Sequence, residues 1–228
     1  PETVRPDMAP EVRAYFHLRG ISDETIVKTR CFSTVKYLRA TNCDTLVMAF
    51  PYFRNGELLN VKYRDARKNM TQEQDPEPCC WNIDHCLNAK TIYITEGEFD
   101  AATLVECGFE AACSVDKGAP NVKDESADKK CECVMNCMDV FETAEEIVLV
   151  SDKDANGLRL EKELIARFGA GKCFTCRYPS DCKDINDVLV KHGREEVIRC
   201  VTAAEPVPVP GLHSFGEFRD RIMGLYQH

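Results

Sequence analysis

Acidic residues fall in three clusters along the chain: Thr95-Glu96-Gly97-Glu98-Phe99-Asp100, Asp152-Lys153-Asp154 and Lys183-Asp184-Ile185-Asn186-Asp187. The first two each follow a short β-branched run, Thr91-Ile92-Tyr93-Ile94 and Ile147-Val148-Leu149-Val150. Carboxylates at the ends of neighbouring buried strands converge on one edge of a parallel sheet, where open α/β folds keep their sites. Held together, they repel unless a cation stands between them, and hard oxygen donors select Mg2+ or Mn2+. The spacing therefore points to a divalent-metal site built to face phosphate. The plain alternative for each acid alone is a solvated helix N-terminus, which favours negative charge, and Asp100 in particular could cap the helix that follows.

Other motifs compete less well. Lys62, Arg64, Arg67 and Lys68 form a compact basic stretch. Lys62 and Arg64 share one strand face and could hold phosphate, or they could simply protect an exposed strand edge. Asp152-x-Asp154-x-Asn156-Gly157, with Glu163 after five intervening residues, satisfies the EF-hand loop pattern. Its context is wrong, because a strand precedes it instead of a helix and Arg159 occupies a position that is apolar in such loops. Gly169-Ala170-Gly171-Lys172 fails the phosphate-loop pattern, with Ala166 and Cys173 where Gly and Ser or Thr belong. Trp81 reads as core before it reads as a base-stacking platform.

The elements that must position these residues follow from periodicity and turn signals. Helices are expected over 11–20 and 22–30, the second capped by Ser22. Strands over 45–53 and 58–64 form a hairpin around Asn55-Gly56, and 69–82 reads as loop. From Thr91 the pattern alternates: strand, helix over 99–107, strand over 111–115, a turn at 117–120, a charged connection over 123–130 and a helix over 133–143. Strand 147–150, helix 158–168, strand 173–178 and helices 185–191 and 195–203 complete it. The fold class is α/β, a mostly parallel sheet with flanking helices, preceded by a small α+β subdomain. The expected division is 1–88, 89–204 and a stiff Pro-rich linker with a docking helix over 205–228. In that last segment Ser214 and Glu217 fit a capping box, and Phe218, Ile222 and Leu225 an apolar stripe.

The chain has 228 residues, 44% of them hydrophobic, enough for a packed core, and a formal net charge of −9, which argues against a general nucleic-acid-coating protein. No apolar run approaches the roughly 20 residues of a membrane span, so no membrane partner is expected. No signal or transit peptide is visible, and the opening Pro1 reads as a fragment or mature form. Fourteen cysteines are many. Cys131-x-Cys133 with Cys137, and Cys173-x-x-Cys176 with Cys182, are the close groupings, and reduced thiols account for them better than zinc or disulfides do.

The order of the acids resembles the TOPRIM fold of topoisomerases and bacterial-type primases. Lys62-Tyr63-Arg64 before Glu96, Ser114-Val115 through Gly118-Ala119-Pro120 after it, and Lys183-Asp184 with Asn186 are similar to one branch of that family. That branch is the primase half of phage-type primase–helicases, including Twinkle-like proteins of plant organelles, and the likeness runs from about Tyr15 to the C-terminus. It implies DNA-templated RNA primer synthesis from nucleoside triphosphates on single-stranded DNA, coupled to a replicative helicase. Under it Glu96, Asp152 and Asp154 are catalytic, and the same three with Asp184 hold Mg2+ or Mn2+. Glu98 and Asp100 are possible secondary acids, and Lys62, Arg64, Lys68 and Lys183 bind nucleotide or phosphate. Segment 205–228 would dock on a helicase domain or a neighbouring subunit, and the location implied, with the cysteine content, is mitochondrion or chloroplast. A non-catalytic DNA-binding module and a TOPRIM nuclease or topoisomerase are the alternatives. Asp116-Lys117 and Trp81-Asn82 depart from the family pattern, the latter where a Gly would make a tighter turn.

Overall fold

The computed structural model describes residues 8–123 and 126–209. Pro10, pre-set for a first helical turn, opens α1 (Pro10–Leu18). The Ser22 hydroxyl accepts from the Thr25 N–H and caps α2 (Asp23–Lys28), with Asp23 and Glu24 in its first turn. An antiparallel meander follows, β1 (Phe32–Leu38), β2 (Cys43–Arg54), β3 (Glu57–Arg64) and β4 (Met70–Gln72), in that spatial order. Asn55 and Gly56 turn the central hairpin with φ of 53° and 78°, the left-handed pair that a two-residue loop requires. Their N–H groups donate to the two oxygens of Asp84 at 2.7 and 2.8 Å.

The sequence reading lacks β1, whose Val35 and Tyr37 face solvent and leave no inward apolar alternation to read. It also takes β4 as loop. That strand is three residues long and pairs with β3 through Lys62–Gln72, Tyr63–Thr71 and Arg64–Met70.

The second half alternates strands and helices: β5 (Thr91–Thr95), α3 (Glu98–Glu106), β6 (Ala112–Ser114), α4 (Asp128–Asn136), α5 (Met138–Thr143) and β7 (Glu146–Val150). It continues through α6 (Ala155–Phe168), β8 (Cys173–Thr175), α7 (Ile185–His192), α8 (Arg194–Thr202) and β9 (Glu205–Pro206). The sheet order is β6-β5-β7-β8-β9, parallel except for the β8–β9 pair. Buried Ile92, Ile94, Ile147 and Leu149 pack on α4, α5 and α6. On the other side Val148 and Val150 pack with α3, α7 and α8 through Leu104, Val188 and Val197. A third cluster joins α1 and β2 to α3 through Phe16, Phe50, Trp81 and Phe99, so the first segment shares its core with the helix that carries the first acidic cluster.

Four boundaries differ from expectation. The helix over 133–143 is two helices broken at Cys137, and α6 starts at Ala155, where Asp154 caps it. Strand 173–178 stops at Thr175. Glu205–Pro206 is not free linker: it pairs with Thr175 and Phe174, and Val207 packs on the core. The capping box at Ser214 and Glu217 and the stripe of Phe218, Ile222 and Leu225 lie outside the described residues. Among the described residues no helix is long and apolar enough to cross a membrane.

Gly157 is required by close approach: a Cβ there would stand 2.1 Å from the Asp152 carbonyl oxygen. Gly157→Ala must push the Asp152 backbone away, and is expected to cost about 1–3 kcal/mol in urea unfolding, the usual penalty of overpacking. An unchanged unfolding midpoint would contradict that packing.

Candidate active site

The acids gather at the C-terminal edge of the parallel strands. Glu96 follows β5, Asp152 leaves the end of β7 and Asp116 the end of β6. Asp100 lies in the first turn of α3, and Asp184 caps α7 by accepting from the Asp187 N–H at 2.7 Å. Glu96, Asp100, Asp152 and Asp184 line one cleft of about 590 Å³, together with Arg19, Lys62, Arg64, Lys68 and Lys183. Asp154 is exposed and lies outside this lining. One of its oxygens accepts from the Asn156 and Gly157 N–H groups, both at 2.9 Å, so it does the work of a helix cap. Its charge still reaches Glu96.

Burial, and after it like charge, governs the cleft. Burial, then the charges of Glu96 and Asp184, push the Asp152 carboxyl up to about 7. Burial, with Asp184 and Asp152 nearby, raises Asp100 well above the carboxylate range. Burial also lifts Glu96, against a hydrogen bond from the Ala119 N–H, and Asp154 adds to the rise. One Glu96 oxygen is buried with no hydrogen-bond partner, as is one of Asp116. Unpaired, mutually repelling oxygen donors suit a hard divalent cation. Among the described residues no three of these acids bring their oxygens within 4.8 Å of one another. Asp100 is half-buried near Asp152 and Asp184, takes a 3.4 Å contact from the Asn186 N–H and caps no backbone N–H of α3, so the helix-cap reading of it is corrected.

The basic wall is less free than its sequence suggests. Lys62 donates to the Glu98 carboxylate and, at 2.6 Å, to the Asp116 carbonyl. The Tyr52 hydroxyl donates to the same Glu98 oxygen at 2.6 Å. Burial pushes Glu98 up, but the Lys62 ammonium and these hydrogen bonds outweigh it and hold it below its ordinary value. Lys62 therefore lines the cleft while serving as the counter-ion of a buried acid, and Glu98 is an internal ion-pair partner in place of a free secondary acid. Arg64 faces Phe99 at 5.5 Å, its Nε buried without a partner. Lys68, with φ 68°, sits in a turn whose Asp65 accepts from the N–H groups of Arg67 and Asn69. Arg67 is not in the lining. Lys183 pairs with Asp184 at 2.8 Å.

Two residues escape the sequence reading. Arg19, just past α1, donates to Asn186 and lies over Phe99 at 4.9 Å, so it enters the cleft from far up the chain. Asp116 lines it from the β6 loop. Nothing in local spacing marks Arg19; Asp116 carries a signal only as a charge just past a short strand. Lys117 beside it is turned to α4, bonding the Lys129 carbonyl and Glu132, both at 3.2 Å. Trp81 is wholly buried, which removes the stacking reading. Asn82 adopts φ 62° and bonds the Ala112 carbonyl, so the tight turn survives without glycine. The strand β7 before Asp152 rules out the EF-hand arrangement. All fourteen cysteines are free thiols, and Cys133 and Cys137 pack with Cys79, Cys80, Cys86 and Cys113 inside the core.

Lys62→Met strands a buried carboxylate and is expected to cost about 3–5 kcal/mol in urea unfolding. Lys62→Met with Glu98→Gln should recover most of that, and a single variant as stable as the parent would mean that Lys62 carries no structural charge. Asp152 supplies a pH test. Its carboxyl titrates near 3.8 in the unfolded chain and about 7 in the fold. The stability linked to its extra proton is complete below the lower value and is lost as pH rises through the upper one. Without divalent metal, the advantage of Asp152→Asn over the parent should grow between pH 5 and pH 8, by on the order of 1–2 kcal/mol after solvent screening. A pH-independent difference would contradict the repulsion.

Residues 93–189 match the Toprim-like family model. The chain is 31% identical over 230 residues to the Arabidopsis thaliana Twinkle homolog protein, chloroplastic/mitochondrial, a match covering 96% of the chain and 32% of that relative. It thus spans about a third of the length of that relative. The crystal structure of the primase fragment of the bacteriophage T7 primase–helicase superposes with a TM-score of 0.66 at 27% identity, covering 81% of this chain and 72% of that one. A bacteriophage T7 assembly of a lagging-strand DNA polymerase with primase domains bound to an RNA/DNA hybrid and dTTP matches at TM-score 0.68 and 26% identity, covering 89% and 93%. Fold, order of the acids and these likenesses agree: the chain carries a Toprim-like domain over residues 93–189 and is similar to phage-type primase–helicases and their Twinkle-like plant homologue.

Proposed function

We propose that this chain synthesises short RNA primers on a single-stranded DNA template from nucleoside triphosphates. The observation that carries the reading is the set of carboxylates Glu96, Asp100 and Asp152, none with an ion-pair partner among the described residues, which line one cleft with the Lys183–Asp184 pair and with Arg19, Arg64 and Lys68. Acids without counter-ions would hold a divalent metal, and the cations beside them would bind the phosphates of a nucleoside triphosphate. The RNA/DNA hybrid and dTTP in the T7 assembly support the same substrate class.

In this reading Glu96, Asp152, Asp154 and Asp184 hold Mg2+ or Mn2+. The ion stabilises charge on the attacking and leaving oxygens and eases ionisation of the attacking hydroxyl. Asp154 acts from the exposed rim. The chain's own groups do the rest. The unpartnered Glu96 oxygen accepts the proton of the primer 3′-hydroxyl as the new oxygen–α-phosphorus bond forms, and pyrophosphate leaves toward the basic wall. Arg64, Lys68 and Lys183 hold the triphosphate, and Arg19 joins them. Lys62 orients Glu98 and reaches phosphate at its edge.

Residues 1–88 supply the template-side wall, 89–204 the acids, and 205–228 runs toward a helicase domain or a neighbouring subunit. The name of the plant relative supports mitochondrion or chloroplast as the place of work.

Labelled nucleoside triphosphates, mixed-sequence single-stranded DNA and either ion are expected to give short RNA products. Glu96→Gln and Asp152→Asn should each lower the yield at least about 100-fold. Intact DNA binding without primers, even when a helicase domain is added, would replace this reading with a binding module. Cleavage of DNA with no nucleotide present would replace it with a nuclease.

A further inference from the structure

Behind the acidic cleft, the loop that delivers Lys183 and Asp184 carries a second set of donors. Asp181, Cys182 and His192 present a carboxylate oxygen, a sulfur and an imidazole nitrogen that all lie within 4.8 Å of one another. Among the described residues no other three His, Cys, Asp or Glu side chains do so, the six packed thiols of the core included. The Cys182 sulfur stands 3.8 Å from Asp181 Oδ1, and His192 Nε2 stands 3.2 Å from that oxygen and 3.0 Å from the other. An ion with bonds of about 2.0–2.1 Å to nitrogen and oxygen and about 2.3 Å to sulfur holds tetrahedral ligands roughly 3.3–3.6 Å apart. The two pairs that share Asp181 need shifts of only a few tenths of an ångström to meet that requirement, and the Cys182 sulfur and His192 nitrogen already lie within 4.8 Å of each other.

We propose that Asp181, Cys182 and His192 form a binding site for a borderline divalent ion of the zinc type, distinct from the Mg2+ or Mn2+ site of the cleft. A thiolate, a carboxylate and a neutral imidazole together balance the two charges of such an ion, and the thiol proton passes to solvent on binding. A sulfur ligand selects against Mg2+. Two nearby cations leave the donors free: the Lys191 ammonium donates to the Asp181 carbonyl, not to its carboxylate, and Arg199 is engaged by Glu196. With three protein ligands, water completes the sphere.

The site ties the two ends of α7 together. Asp181 and Cys182 precede its cap, Asp184, and His192 is its last residue. The same loop is held from the other side, where the Lys183 carbonyl accepts from the Lys153 N–H at 2.9 Å and Lys153 Nζ donates to the Tyr178 and Pro179 carbonyls. The ion would thus fix the segment that presents Asp184 to the cleft.

The test is titration of the full, reduced chain with Co2+, the spectroscopic stand-in for Zn2+, in excess Mg2+. One equivalent is expected to bind with a thiolate-to-cobalt charge-transfer band, and Zn2+ to displace it. Cys182→Ser should abolish the band, and His192→Gln, an exposed position that leaves the fold intact, should weaken binding by more than the about 10–100-fold that an outer-shell partner is worth. Glu96→Gln should leave the band unchanged, which separates this site from the primase reading. A chain with no thiolate band, a band that survives in Cys182→Ser, or Co2+ bound as tightly by His192→Gln as by the parent, overturns the proposal.

Discussion

Everything in the cleft depends on carboxylates that the backbone gathers at one partly buried edge of the parallel sheet. The parallel register of β5 and β7, which sets Thr95 opposite Val150, delivers Glu96 and Asp152 to one edge. The helix caps at Asp154 and Asp184 fix two more acids by hydrogen bonds to backbone. The backbone thus imposes an arrangement that burial and then like charge oppose, and both show in the raised Asp100, Asp152 and Glu96 carboxyls. A cation bound among them would relieve that opposition, which is the physical ground for the metal site proposed above.

A second electrostatic unit joins the two halves of the molecule. Glu98 starts α3 and is buried against β2 and β3, where Tyr52 and Lys62 receive it. Lys62 also holds the Asp116 carbonyl, at the root of the loop that gives Glu96 its Ala119 hydrogen bond. A buried ion pair adds little net stability, but it fixes geometry. Here it sets the antiparallel sheet, with Arg64 and Lys68, across the cleft from the acids.

The sequence made the position of the acids legible wherever it was local. Acidic clusters after β-branched runs put Glu96 and Asp152 just past two strands, where β5 and β7 end, and Ser22 and the Asn55-Gly56 turn were readable from residue type alone. What could not be read depends on contacts between distant segments. Arg19 enters the cleft because α1 packs on Phe99, and nothing around Arg19 records that. Glu98 looks like its neighbours Glu96 and Asp100 in sequence, yet one helical position turns it onto Lys62. Edge strands β1 and β4 have too little buried surface to leave an alternating pattern. The Pro-containing run after Thr202 reads as linker because proline lacks a donor, yet a strand at a sheet edge tolerates that absence.

The central claim, that Asp152 is held among like charges until a divalent ion arrives, is tested most directly by calorimetric titration of Mn2+ near pH 7 in two buffers of different ionisation heat. The account expects binding accompanied by proton release, since a carboxyl that titrates near 7 must lose its proton to become a ligand. Asp152→Asn should lose both the release and most of the affinity. Mn2+ binding with no proton release, or equal binding by the variant, would mean that the acids of the cleft do not share a cation.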